Sequence, residues 1–220
     1  MEDKQLVQMS ERFRTGALLA VAGGFLDAYT YVTRGGVFAN AETGNIVLLG
    51  VRSISGDWRG ALHYLVPILA FALGVIAAEL IKKRFKQAHV VHWRQITLAI
   101  EMAILLIVAL LPERWNTVSN MSVAFVCAMQ VESFRKMRGN AFVTTMCTGN
   151  LRSCTEQVYQ FLSTGERDHL RRGVRYGGII LCFILGAALG AWFSGLLGLH
   201  AVAVACIPLL CALCLMCVSK

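Results

Sequence analysis

Apolar and polar residues follow one another along this chain in blocks of membrane length. Residues 15–33, 61–81, 95–112, 117–134, 174–197 and 199–218 are each predominantly apolar. A helix needs about 20 such residues to cross a bilayer core of ~30 Å. Two further blocks, 36–54 and 140–163, have comparable length but are polar, the first with Asn40, Glu42, Asn45 and Arg52, the second with Arg152, Glu156, Gln157 and Gln160. Small residues at a spacing of four recur in the apolar blocks, at Gly16, Ala20 and Gly24, at Gly74 and Ala78, and at Gly186 and Gly190. That spacing lets helix backbones approach closely.

The polar blocks share a motif. Thr43-Gly44-Asn45 in the first returns as Thr148-Gly149-Asn150 in the second. A carboxylate stands at the same distance before each copy, Asp27 and Glu132, and a Phe-x-Leu-Gly follows each, Phe71 to Gly74 and Phe183 to Gly186. This predicts two structural repeats, about 15–112 and 117–218, each with three spans and a polar re-entrant or broken-helix segment. The repeat is one of pattern, since apart from the triplet the two stretches hardly share residues.

Basic residues decide whether the polar blocks cross. If they do not, and the N-terminus is cytoplasmic, the inner side collects Lys4, Arg12 and Arg14, the cluster from Lys82 to Arg94, the series from Arg135 to Arg175, and Lys220. The outer side keeps only Arg34, Arg52, Arg59 and Arg114. The positive-inside rule then selects six spans with both termini inside. Three crossings per repeat is an odd number, so the second repeat enters the membrane upside down. Trp58, Trp93, Trp115 and Trp192 fall near the predicted span ends, where aromatic belts form.

Composition agrees. Of 220 residues, 56% are hydrophobic and 15% charged, with a mean hydropathy of +0.60, whereas soluble domains carry about 25% charged residues. The expectation is an all-α integral membrane protein, one domain over 1–220. The net charge of +8 reads as cytoplasmic loops rather than as a nucleic-acid surface. The charged start, Met1 to Arg14, has no apolar core of a signal peptide. Six of the eight cysteines lie in apolar blocks, where they read as small packing residues. No nucleotide, zinc-protease or nucleophile-elbow motif appears, and neither a cofactor nor a metal is expected.

Gly24-Phe-Leu-Asp27-Ala28, Gly35-Gly36-Val37-Phe38-Ala39-Asn40 and Thr43-Gly44-Asn45 resemble the YoaK-like family of bacterial multi-pass membrane proteins. Gln130 and Thr144-Thr145-x-x-Thr148-Gly149-Asn150-Leu151 extend the likeness into the second half. The resemblance implies a bacterial inner-membrane protein of about six spans, and no established substrate.

The candidate site residues are Asp27, Asn40, Thr43, Gly44, Asn45, Gln130, Glu132, Thr148, Gly149 and Asn150. A carboxylate inside a span usually faces a cavity, a partner or a proton path. The bland alternative puts Asp27 and Glu132 at wet helix ends, Glu132 beside Arg135. In each triplet, Gly permits a tight turn while Thr and Asn cap a helix or offer polar atoms to a solute. Capping alone is the competing reading. Glu101 is expected to have a local partner, and Arg152 and Glu156 to pair along a helix.

A small-solute transporter or channel follows, embedded in the lipid bilayer and binding a small polar solute or ion between the repeats. A membrane-embedded enzyme and a non-transporting assembly or sensor protein are the alternatives. The Gly186–Gly190 pair permits a homodimer or internal packing. Each triplet is expected near the midplane at the start of a short helix. Helix N-termini there favour an anion, while Asp27 and Glu132 favour a cation or proton.

Overall fold

The computed structural model describes residues 13–85, 92–134, 136–137, 140–141 and 147–218. Among them the architecture is helical. The first half holds α1 (Phe13–Thr33), α2 (Glu42–Ile54), α3 (Trp58–Phe85) and α4 (Trp93–Val108). The second holds α5 (Asn116–Ser133), α6 (Cys147–Thr164), α7 (Arg167–Leu197) and α8 (Cys206–Val218). A two-residue antiparallel ladder, Lys136–Met137 with Asn140–Ala141, lies between α5 and α6. Thr144 and Thr145, part of the family likeness, lie outside the described residues, as do Arg135 and Lys86.

Local chemistry sets the helix limits. Gly35 and Gly36 follow α1 at φ 88° and 77°, a region that costs a side-chain-bearing residue energy. His92 and Gln95 form a reciprocal cap on α4: Nδ1 of His92 accepts the Arg94 N–H at 3.3 Å, and Oε1 of Gln95 accepts the His92 N–H at 3.0 Å. The last apolar block differs from the single helix predicted for 199–218. Its first part, Gly198–Ala205, is a 3₁₀ helix. Gly198 leaves α7 at φ 56°, and the ring of Pro208 in the first turn of α8 has no N–H to give Val204.

Packing pairs the halves. α1 lies along α7, and α3 along α5; α2 packs on α3, and α6 on α7; α4 meets α5 and α8, and α8 meets α1. α1 and α7 run in the same direction, since Phe13 approaches Gly178, Val21 approaches Gly186 and Phe25 approaches Gly190. The stripe of small residues makes this possible. A Cβ on Gly24 would collide with the carbonyl of Phe183, and one on Gly186 with the carbonyl of Val21. Gly74 meets the carbonyl of Phe125 on α5 in the same way. The Gly186–Gly190 face is therefore filled by α1, and a homodimer would need another surface.

Leu19, Leu26 and Tyr29 of α1, Leu98 and Leu105 of α4, and Leu209 of α8 are fully buried in one core. Leu62, Leu69, Leu73, Ile76 and Leu80 of α3, and Leu181, Ile184, Leu185 and Leu196 of α7, are exposed. Two stretches are long and apolar enough to cross a membrane, Trp58–Phe85 and Arg167–Cys217.

Three expectations need correction. Arg34, in the turn after α1, is not a solvent-facing charge: it is fully buried. Its Nε donates to the Tyr29 hydroxyl at 2.8 Å, Nη1 to Oδ1 of Asn116 at 3.0 Å, and Nη2 to the carbonyls of Val108 and Leu111 at 3.1 and 3.0 Å. The guanidinium thus closes the C-terminal end of α4, where backbone carbonyls lack helical partners. Trp93 is also buried, at 7% exposure, with Arg94 and Lys82 over its ring, and so does not belong to an aromatic belt. Arg152 and Glu156 are both exposed and do not pair with each other, so water solvates the two charges in place of a partner.

Candidate functional site

The site is built where the irregular segment 37–41 folds back against α1. Asp27, 5% exposed on α1, accepts the backbone N–H of Asn40 through Oδ1 at 2.6 Å. The Asn40 side chain donates through Nδ2 to the carbonyl of Gly23 at 3.2 Å. That bond fixes which way the amide points, and it leaves Oδ1 buried without a hydrogen-bond partner.

The first triplet holds this segment to α2. Asn45 is fully buried. Its Oδ1 accepts the Phe38 N–H at 3.1 Å, and its Nδ2 donates to the Phe38 carbonyl at 2.7 Å and to Oε2 of Glu42 at 3.0 Å. An extended strand would satisfy those backbone groups from a neighbouring strand; here one amide side chain does so. Gly44 leaves room for the Phe38 ring, which would lie 2.9 Å from an added Cβ. Thr43 projects outward from the first turn, exposed. The second triplet has the same placement in its helix. Cys147 opens α6, Thr148 and Gly149 are exposed, and Asn150 is buried at 4% exposure.

Thr43 and Thr148 line one cavity of about 640 Å³. Asp27, Asn40 and Glu42 contribute to it from the first half; Cys147 and Gly149 contribute from the second. Phe71 of α3 and Phe183 of α7, the first residues of the two Phe-x-Leu-Gly motifs, stand in its wall with Tyr31 and Phe38. The rings of Tyr31 and Phe38 stack at 5.0 Å. A volume of this size suits a small organic solute, and walls of aromatic and small residues with a few convergent polar groups are the usual makeup of such sites.

The predicted residues thus separate into two sets. Asp27, Asn40, Thr43, Thr148 and Gly149 face the cavity. Asn45 and Gly44 stand behind it and shape the loop. Gln130 lies elsewhere in the core, 1% exposed, with Nε2 donating to the Leu19 carbonyl at 3.3 Å. Glu132 is half-buried near the end of α5 and does not line the cavity, so the two carboxylates that match in the repeat do not meet there.

Glu42, Tyr31, Phe38, Phe71 and Phe183 belong to the site without having been singled out as site residues. The Phe-x-Leu-Gly repeat was the available signal for two of them.

Glu101 departs from expectation. It is fully buried and both carboxylate oxygens lack a hydrogen-bond partner among the described residues, because it stands on the core-facing side of α4 rather than beside a local partner. Among the described residues no group of His, Cys, Asp and Glu is placed to hold a metal ion. Cys211, Cys214 and Cys217 are exposed along α8.

A family model described as "Protein of unknown function (DUF1275)" matches residues 15–215. No curated protein and no solved structure matches the chain.

Proposed function

The chain belongs to the DUF1275 family, and we propose that it is a small-solute transporter or channel of the bacterial inner membrane, with its binding site between two inverted repeats. The observation that carries this reading is the shared cavity. Each half sends the first turn of a polar helix to it, with Thr43 and Thr148 on its wall.

The packing supports the repeat. Exchange of α1–α4 with α5–α8 leaves the set of main helix contacts unchanged: α1 with α7 becomes α5 with α3, and α4 with α5 becomes α8 with α1. The two Phe-x-Leu-Gly motifs act alike. Each Phe faces the cavity, and each Gly meets the first helix of the opposite half.

Helix directions support six crossings. The end that gathers Arg34, Leu111, Asn116 and Leu199 lies opposite the one that gathers Arg94, Ser133 and Cys217. Lys82 reaches Trp93 at this second end. The positive-inside rule favours reading it as the cytoplasmic end, with the start of α1 and the end of α8 on that side. At about 1.5 Å per residue, α2 spans ~20 Å, less than a bilayer core of ~30 Å, whereas α6, with 18 residues, is kept out of the crossings by its polar composition and not by its length. Where irregular backbone such as 37–41 occurs at membrane depth, it must be satisfied by protein or line a cavity. Asp27 and Asn45 satisfy it here, and the cavity lies beside it.

The test is solute flux into proteoliposomes. Thr43→Val and Thr148→Val, each at a wall position, are expected to lower flux at least tenfold without loss of folded yield. Flux unchanged in the double variant would rule out this cavity as the path.

A further inference from the structure

We infer that the cavity opens to the cytoplasm along one face of α6, a water-filled half-path on which Arg152 is the first charge beyond Thr148; the inference rests on the transport site proposed above. Thr148, Arg152, Thr155 and Tyr159 follow one another at spacings of four, three and four, which puts them on one side of a helix. All four are exposed, and Thr148 also stands in the cavity wall. The opposite side of α6 is the packed one. There Asn150 is buried, Cys154 donates to the Gly173 carbonyl at 3.3 Å, and Gln157 meets His169 at 2.9 Å. From Thr148 to Tyr159 the exposed stripe rises ~16 Å at about 1.5 Å per residue, half of a bilayer core of ~30 Å. That reach joins the cavity to the cytoplasmic surface.

Depth separates this stripe from an ordinary solvated face. Cys154 lies beside Gly173 and Gly177 near the start of α7, and Thr148 shares the cavity with Phe183. Arg152 therefore stands level with the stretch of α7 from Gly177 to Phe183, Gly-Gly-Ile-Ile-Leu-Cys-Phe, inside an apolar block of membrane length. A charged side chain at that level faces water or a polar partner, not acyl chains. Glu156 adds a second exposed charge one turn further on. The matching helix has the opposite chemistry. Thr43, Val47, Gly50 and Ile54 hold the same positions on α2 and are exposed as well, but beyond Thr43 they carry no polar side chain. Acyl chains can cover that stripe without cost. Of the two helices that share a place in the repeat, only α6 is built for water.

The experiment uses sealed membrane vesicles, cytoplasmic face outward, that hold the full-length protein with its natural cysteines. Two membrane-impermeant thiol reagents are applied, anionic 2-sulfonatoethyl methanethiosulfonate and cationic 2-(trimethylammonio)ethyl methanethiosulfonate. Peptide mass spectrometry reads which cysteine is labelled. Arg152→Cys and Thr155→Cys are expected to react at the new thiol. Leu181→Cys, exposed on α7 at the same level, is expected to react at least tenfold more slowly. Cys147 stands in the cavity wall and is expected to react in the unaltered protein, so this arm stands even if a variant fails to fold. Arg152→Glu is expected to shift the anionic-to-cationic rate ratio at Cys147 at least threefold toward the cation. Positions 152 and 155 as slow as 181, the outcome for a stripe turned to lipid or covered by a second copy, overturn the inference. An inert Cys147 or an unchanged rate ratio does the same. Flux separates the two readings. A labelled stripe in a protein that passes no solute ends the transport reading and keeps the wet half-path. Flux that depends on Thr43 and Thr148 beside an unlabelled stripe does the reverse.

Discussion

The side chain of Asn45 hydrogen-bonds both backbone groups of Phe38, accepting its N–H at 3.1 Å and donating to its carbonyl at 2.7 Å. One amide thereby fixes the segment 37–41 against α2, and so sets where Asn40 and Thr43 sit. Asn45→Ala leaves the Phe38 pair unmet. A buried group without its partner costs about 1–3 kcal/mol. The expected result is a melting temperature several degrees lower in detergent, with ligand binding lost before folding is. Asn45→Asp is expected to behave similarly, because a carboxylate cannot donate to the Phe38 carbonyl. Unchanged thermal stability in both variants would contradict the clamp.

The two triplet glycines are expected to differ. A Cβ at Gly44 would press on the Phe38 ring at 2.9 Å, whereas one at Gly149 meets nothing within 4 Å among the described residues. Gly44→Ala should destabilise the protein by about 1–3 kcal/mol through overpacking. Gly149→Ala should fold normally and reduce solute binding, since position 149 is on the cavity wall. Thermal melts and titrations on the pair check the contrast; equal stability loss would refute it.

Close approach of α1 and α7 depends on missing side chains. Gly186→Val places bulk against the Val21 carbonyl, and Gly24→Val places it against the Phe183 carbonyl. Both are expected to reduce folded yield severely, measured by size-exclusion chromatography. Gly195 has nothing within 4 Å of an added Cβ, and Gly195→Ala on the same helix should keep the yield of the unaltered protein.

Arg34 tests whether a fork is needed. Its guanidinium reaches Tyr29, Asn116 and two carbonyls at the end of α4 at once. Lys keeps the charge but not the planar array of donors. Arg34→Lys is expected to lower stability by about 2 kcal/mol or more, as buried carbonyls lose their donors. A melting temperature equal to that of the unaltered protein would mean that charge alone suffices.

Acid should loosen the start of α4. Burial, reinforced by nearby Arg94, holds the His92 imidazole below its ordinary value of 6.5. The unfolded chain then binds the extra proton more readily than the folded one. The contribution of the neutral cap is complete above about pH 6.5 and is lost as pH falls through the lower folded value. His92→Asn keeps a capping side chain without that titration. Its melting temperature is expected to vary less between pH 7.5 and pH 5 than that of the unaltered protein. Identical pH profiles would remove His92 from the account.

The sequence by itself determined the helical, apolar character of the chain, because burial and bilayer length act on long runs that composition displays directly. It also determined the breaks, since Gly35, Gly36 and Gly198 take backbone conformations that other residues resist. The repeated triplet and the two Phe-x-Leu-Gly motifs were visible as pattern, though not which of their members would face a cavity. Only the tertiary structure decided that, because a side chain's role depends on which neighbour fills the space beside it. Asn45 and Thr43 are two residues apart, yet one is fully buried against Phe38 while the other is exposed on the wall. Arg34 read as a loop charge until α4 and α5 were seen to bring their carbonyls and Asn116 to it. Glu101 read as a partnered residue until its face of α4 proved to be the core. For Arg34 the deciding partners lie 74 to 82 residues away in sequence, and local pattern does not carry that distance.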